Sequence, residues 1–222
     1  MQMQGIAENL RQIQASLPPQ TRLIVVSKYR SPEEIMQVYQ AGQRCFAENR
    51  VQALLERYEN LPKDIEWHLI GHLQSNKVKY VVPFVNLIHS VDSLKLLQEV
   101  NRQAAKTEKI QDVLIQVFVA REETKFGLTP EETLNLLSSQ AVADLNNVRI
   151  CGLMAMASNT SDTEQIKREF KQVADLFAEL KNRFMKNRTH FRELSIGMSS
   201  DYQIAIECGS TMVRVGSKVF DV

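Results

Sequence analysis

Two short turns near the C-terminal end carry the residue types that hold a phosphate group. In Ile196-Gly197-Met198-Ser199-Ser200 and in Val215-Gly216-Ser217 an apolar run ends in glycine and serine, and a segment of helical pattern lies between the two turns. Glycine lets backbone N–H groups close on an anion, serine adds a hydroxyl, and a following helix N-terminus favours negative charge. Arg214 sits inside the second apolar run. A different chemistry stands near the start of the chain, where Leu23-Ile24-Val25-Val26-Ser27 ends in Lys28. A lysine that ends an apolar strand is partly desolvated, and desolvation and a nearby cation both disfavour its charged form. The neutral amine that results attacks aldehydes.

The amine and the phosphate turns act together only if the fold brings both ends of the sequence to one place. Short apolar runs at 23–27, 45–46, 66–70, 86–89, 113–119, 148–153, 193–196 and 212–215 predict eight strands. Amphipathic segments separate them. Ser31-Pro-Glu-Glu34 and Thr129-Pro-Glu-Glu132 are capping boxes with proline at the first helical position, and Gly42 ends the first of these helices. Ile166, Phe170, Val173, Phe177, Leu180 and Phe184 step by four and three, which predicts a long one-faced helix. Ile6, Leu10, Ile13 and Leu17 predict an extra helix at about 3–17, ahead of the first strand. Alternating β and α units with mostly apolar strands predict a parallel sheet. Eight such units predict closure into a (β/α)8 TIM barrel, an α/β fold that makes residues 1–222 a single domain. The other arrangement is an open doubly wound sheet, but no G-x-G-x-x-G follows the first strand.

In such a barrel the site lies at the C-terminal ends of the strands, and phosphate binds at the loops after strands seven and eight. Closure makes strand eight a neighbour of strand one, so Lys28, Arg214 and both turns should meet. A phosphorylated ligand with an aldehyde is pyridoxal 5'-phosphate. Parity puts Arg214 on one face with Met212 and Gly216, leaving Val213 and Val215 for the helices. The plain alternatives are a snorkelling Lys28 and an outward, salt-bridging Arg214.

The motifs LIVVSKYRSPEEI, CFAENRVQ, WHLIGHLQSNK, IHSVDS, ETKFG, GLMAM and SIGMSSDYQIAIECGSTMVRVGSKVF, in this order over nearly the whole chain, resemble the pyridoxal phosphate homeostasis family (YggS/PROSC-like). The resemblance implies a barrel like the N-terminal domain of alanine racemase, with the cofactor as a Schiff base on Lys28. It also implies a role in supplying or buffering the cofactor as a carrier or reservoir, with pyridoxal-dependent apoenzymes as recipients. Carried over by position, Ser199, Ser200, Gly216 and Ser217 hold the phosphate, Arg214 faces the pyridine nitrogen and Asn49 lies near the ring. Three positions depart from the family pattern: Ala47 and Asp221 stand where glycine is usual, and Phe118 where asparagine is common. A carboxylate at the ring nitrogen would keep it protonated, whereas an arginine has no acceptor for that N–H, so the nitrogen stays neutral. The ring is then a weak electron sink, which suits a carrier or a racemase better than a transaminase. The rival is therefore a pyridoxal-dependent amino-acid racemase, although no second base or added β-domain is evident. Two further readings are a barrel for another sugar or nucleotide phosphate, with Lys28 as a charge contact, and a regulatory module whose cofactor only stabilises the fold.

Other residues have simpler readings. Basic and acidic residues balance at 27 and 26, for a net charge of +1, so neither a nucleic-acid nor a membrane surface is expected. Cys45, Cys151 and Cys208 lie far apart and read as small buried residues of a reducing compartment. The polar N-terminal segment is no signal peptide and no apolar run is long enough to span a bilayer, so the expectation is a cytoplasmic protein, a monomer or weak dimer. His68 and His72 have the spacing of a helical metal pair, but HLIGH lacks the glutamate of H-E-x-x-H and runs from strand to turn, so no metal is expected. Asn49 is also a candidate N-cap, and Ser200 with Gln203 a candidate capping box. His89 and Ser90 are expected to line the pocket, Met154 and Met156 to be core or pocket wall. Lys77, Lys79 and the basic run at 181–192 read as solvated faces.

Overall fold

The computed structural model describes residues 2–121, 126–186 and 188–221. Residues 123–125 of the ETKFG motif and residue 187 of the basic run lie outside them. Eight parallel strands close into a barrel in sequence order. They are β1 Arg22–Val26, β2 Cys45–Glu48, β3 Glu66–Leu69, β4 Leu87–Val91, β5 Gln111–Val117, β6 Val148–Ala155, β7 Glu193–Met198 and β8 Met212–Val215. Every predicted strand is present, all but β8 with shifted ends. β2 runs on through Ala47 and Glu48 because all four of its residues are buried, the carboxylate included.

The helices are α1 Gln2–Ser16, α2 Pro32–Gln40, α3 Val51–Asn60, α4 Val78–Val81, α5 Leu94–Lys106, α6 Pro130–Leu137 and α7 Gln140–Ala143. After them come α8 Thr163–Arg183, α9 Tyr202–Glu207 and α10 Ser217–Phe220. Both predicted capping boxes form, Ser31 with Glu34 and Thr129 with Glu132, each with its proline in the first turn. Two predicted caps do not. The N-cap of α3 is Arg50, in extended backbone, so Asn49 lies one residue too early to cap it. The N-cap of α9 is Asp201, not Ser200, and its carboxylate turns back to accept the Met198 N–H at 2.5 Å.

Strand alternation divides the interior in two. Leu23, Val25, Phe46, Val213 and Val215 point outward into one large apolar core against the helices. Ile24, Val26, Ala47, Leu114, Met154 and Met212 form a smaller core inside the barrel. The two sets alternate along β1, β2 and β8, whereas irregularities in β4 and β6 put Ile88 with Val91, and Ile150 with Leu153, on the outer side. In the outer core Trp67 is fully buried, its ring tilted on Phe46 with centroids 5.9 Å apart. Its indole N–H has no acceptor among the described residues. Trp67→Ala should therefore cost about 3–5 kcal/mol in a urea titration, whereas Trp67→Phe, which fills much of the volume and removes the unpaired N–H, should cost far less.

Cys45 and Cys151 are buried as expected, but Cys208, at the C-terminal cap of α9, is half-exposed. Lys77, Lys79 and the described basic residues of 181–192 are exposed. No helix among the described residues is long and apolar enough to cross a membrane.

Candidate functional site

At the C-terminal mouth of the barrel lies a cavity of about 900 Å³. β8 pairs in register with β1, Arg22 opposite Met212 and Val25 opposite Val215, which sets the end of β8 beside Lys28. Lys28, Asn49 and Arg214 all line the cavity. Ser199 and Ser200 reach it from the turn after β7, Gly216 and Ser217 from the turn after β8. All seven residues singled out in the sequence thus share one space.

Local geometry explains each placement. Lys28 stands in the turn two residues past the end of β1, in step with the inward-facing Ile24 and Val26, and is exposed there rather than desolvated. Its turn is closed by Arg30 N–H donating to the Ser27 carbonyl at 3.1 Å, with Tyr29 in left-handed backbone, φ 65°. Beneath it the Ser27 hydroxyl donates to buried Glu48 at 2.7 Å, and Arg57 donates to the Arg30 carbonyl at 2.5 Å. Burial pushes the Glu48 carboxyl up from its ordinary value, opposed by the Ser27 bond and by the Arg57 and Lys28 cations. Asn49 is held from behind by Gly71, where a Cβ would stand 1.9 Å from the Asn49 carbonyl oxygen.

The turn after β7 is made by an irregularity. Ser195 pairs with Met212 and Met198 with Arg214, so β7 holds one more residue than β8 over this stretch. Gly197 takes up the extra length in left-handed backbone, φ 94°. The bulge aims Met198, Ser199 and Ser200 at the cavity. The two turns are joined directly, the Gly216 N–H donating to the Ser199 hydroxyl at 3.1 Å.

Arg214 points into the barrel and is buried. Its Nη1 donates to the Ser195 carbonyl and hydroxyl, both at 2.7 Å, and its Nη2 to the Ala155 carbonyl at 2.9 Å. Burial lowers it to about 10, with the Asp201 carboxylate pulling the other way, so it stays a cation at neutral pH.

The structure corrects the reading of His89 and Ser90. β4 continues past both to Val91, so neither reaches the cavity wall. Ser90 faces the other side of the strand and donates to the Gly71 carbonyl at 2.6 Å. His89 lies within the barrel, with Nδ1 3.0 Å from the Ser195 hydroxyl and Nε2 2.9 Å from His68 Nδ1. His68 Nε2 lies 3.4 Å from Cys45 Sγ. Burial drives both imidazoles down, His68 to about 3 and His89 well below its ordinary value, so both are neutral. A polar residue in the middle of β3 and another in the middle of β4 was the signal available in the sequence.

His68 and His72 do not form a pair. His72 lies past β3 in the cavity wall, its Nδ1 3.3 Å from Asp92 and its ring stacked on Phe126 at 3.9 Å. Met156 lines the cavity and Met154 is barrel core. Cys45, Glu66 and His68 bring ligand-type atoms within 4.8 Å of one another at the opposite mouth. There Arg22 already stands 3.5 Å from Glu66, and His68 is engaged on both nitrogens.

A closed parallel barrel with a lysine at the end of β1 and an arginine on β8 defines a class. The family model described as "Alanine racemase, N-terminal domain" matches residues 1–221, and the chain belongs to that family. More narrowly, its curated relatives are named pyridoxal phosphate homeostasis protein. That of Aquifex aeolicus is 41% identical over 200 residues, covering 90% of this chain and 86% of the relative. That of Pasteurella multocida is 36% identical over 230 residues, covering 97% and 96%. Among solved structures, PipY of Synechococcus elongatus with pyridoxal phosphate bound aligns with TM-score 0.88 at 36% identity, over 97% of this chain and 99% of that one. Alanine racemase of Bartonella henselae, at 17% identity and TM-score 0.72, shares the fold over 99% of this chain and 59% of its own.

Proposed function

We propose that the chain binds pyridoxal 5'-phosphate in this cavity and serves as a carrier or reservoir in intracellular vitamin B6 homeostasis. The observation that carries the reading is the convergence of Lys28, Arg214 and both glycine–serine turns on one cavity. The names of the relatives and the ligand of PipY support it. When bound, the cofactor supplies an aldehyde that bonds an amine and a ring that draws electrons from it. Lys28 offers that amine. The hydroxyls of Ser199, Ser200 and Ser217 and the backbone at Gly216 would hold the phosphate, and Asn49 would lie beside the ring. Arg214 would face the ring nitrogen and offer no acceptor for an N–H there, so the nitrogen would stay neutral and the ring a weak electron sink. The result is a firm binder without robust turnover, which passes its cofactor to pyridoxal-dependent apoenzymes. The placement is cytoplasmic, as a monomer or weak dimer.

Incubation of the purified protein with pyridoxal phosphate, followed by dialysis, tests the reading. The expected product is a yellow protein, and borohydride should fix the cofactor to the peptide that carries Lys28. A protein that stays colourless sinks the proposal. The racemase reading has one observation in its favour, the imidazole of His72 beside Asp92 in the cavity wall. Interconversion of free amino-acid enantiomers at an ordinary enzyme rate would establish a racemase in place of a carrier.

A further inference from the structure

The buried polar contacts around Arg214 belong to one chain. It runs from Arg214 on β8 to Ser195 on β7, crosses the barrel to His89 on β4, and continues to His68 on β3 and Cys45 on β2. We propose that Ser195, His89 and His68 form a hydrogen-bond relay of a single fixed polarity that orients Arg214, which makes them positioning residues for the ring-nitrogen end of the cavity. The positioning role rests on the pyridoxal phosphate reading above, whereas the polarity is a property of the protein alone.

The polarity follows from donor and acceptor chemistry. A guanidinium has only donors, so Ser195 Oγ accepts from Arg214 Nη1 at 2.7 Å. The serine hydroxyl proton then needs an acceptor. Ser195 is completely buried, and the other partner of its Oγ is His89 Nδ1 at 3.0 Å. His89 Nδ1 must therefore accept. A neutral imidazole carries one donor and one acceptor, so His89 Nε2 carries the proton and donates to His68 Nδ1 at 2.9 Å. By the same rule His68 Nε2–H points at Cys45 Sγ, 3.4 Å away. The reverse polarity runs from the Cys45 thiol through Nδ1-protonated histidines to Ser195. It leaves the serine proton buried with no acceptor, at a cost of about 1–3 kcal/mol.

This arrangement has a consequence for a buried cation. The charge is met by two carbonyls, by the nearby Asp201 carboxylate and by a file of aligned dipoles, each presenting its acceptor end towards the arginine. The relay also ties the guanidinium to the far wall of the barrel, so its plane is fixed before any ligand arrives.

Nitrogen-detected NMR of the histidines in cofactor-free protein tests the polarity. His68 and His89 should both be neutral and protonated on Nε2. A proton on Nδ1 of either overturns the relay. Ser195→Ala should leave His89 in a tautomer mixture, and Ser195→Thr, which keeps the hydroxyl, should restore the single form. In the loaded protein, Ser195→Ala should retain borohydride capture on Lys28 but shift the cofactor's absorbance maximum and speed its release by about tenfold, with Ser195→Thr near wild type. If Ser195→Ala fails to fold, His89→Leu removes the acceptor of the Ser195 hydroxyl proton one step along the relay and should shift the spectrum in the same direction. A wild-type spectrum and release rate in a folded, loaded Ser195→Ala overturns the positioning role. Failure of the wild type to load overturns the pyridoxal phosphate reading and the positioning role with it, while the histidine tautomers still decide the polarity.

Discussion

Replacing Lys28 by alanine should abolish the colour and the borohydride capture of the loaded protein while leaving its fold intact. The turn that presents Lys28 is held by groups the substitution does not touch: Ser27 N–H on the Ala47 carbonyl at 3.0 Å, Ser27 on Glu48, and Arg57 on the Arg30 carbonyl. Loss of the covalent bond leaves the phosphate grip of the two turns. Retention should fall by at least about a hundredfold, equivalent to about 2.8 kcal/mol. Lys28→Arg is the sharper control, because it keeps the charge but cannot bond an aldehyde. Equilibrium dialysis that found Lys28→Arg binding like wild type would reduce Lys28 to a charge contact. The cavity would then serve another phosphate ester as well as this one.

The second large effect is expected at Arg214. Arg214→Gln replaces three charge-assisted bonds with at most two neutral ones and should lower stability by about 1–3 kcal/mol. The loaded variant should fold, bind, and show a displaced absorbance maximum, since the cation proposed to face the ring nitrogen is gone. Arg214→Glu goes further. It faces a carboxylate towards the carbonyl oxygens of Ser195 and Ala155, and an uncompensated buried charge of this kind costs about 3–5 kcal/mol. Where enough folded protein survives, the carboxylate can accept a hydrogen bond from a protonated ring nitrogen, keep that proton on the ring and so strengthen the electron sink. Slow side reactions with added amino acids, followed by loss of the starting absorbance, should then accelerate. A folded Arg214→Gln protein with an unaltered spectrum places the arginine away from the ring.

Much of this arrangement was readable from the sequence because it depends on parity and order. Alternation along β1 and β8 put Lys28 with Val26, and Arg214 with Met212, on the inner wall, and the count of eight strands made the two walls adjacent. Readings that depended on a single residue's backbone were less secure. Asn49 precedes a helical pattern as an N-cap would, but the chain stays extended through Arg50 before it turns. Ser200 stands one residue ahead of Asp201, from which α9 starts, beyond a bulge in β7 that the residue pattern does not mark. The contact of His89 with Ser195 was beyond reach for a different reason. It joins strands on opposite walls of the barrel, and neither pattern nor spacing marks a contact across a lumen.

The pairing of β1 with β8 also sets when the site can exist. Strands adjacent in space are among the most distant in sequence, and such long-range pairing forms late and slowly. Until that seam closes, the lysine and the phosphate turns belong to separate parts of an unfinished sheet. A ligand that bridges them therefore binds the closed barrel and none of the partly folded forms, and it stabilises the closed form by mass action. Uptake of cofactor is thus a report that folding is complete.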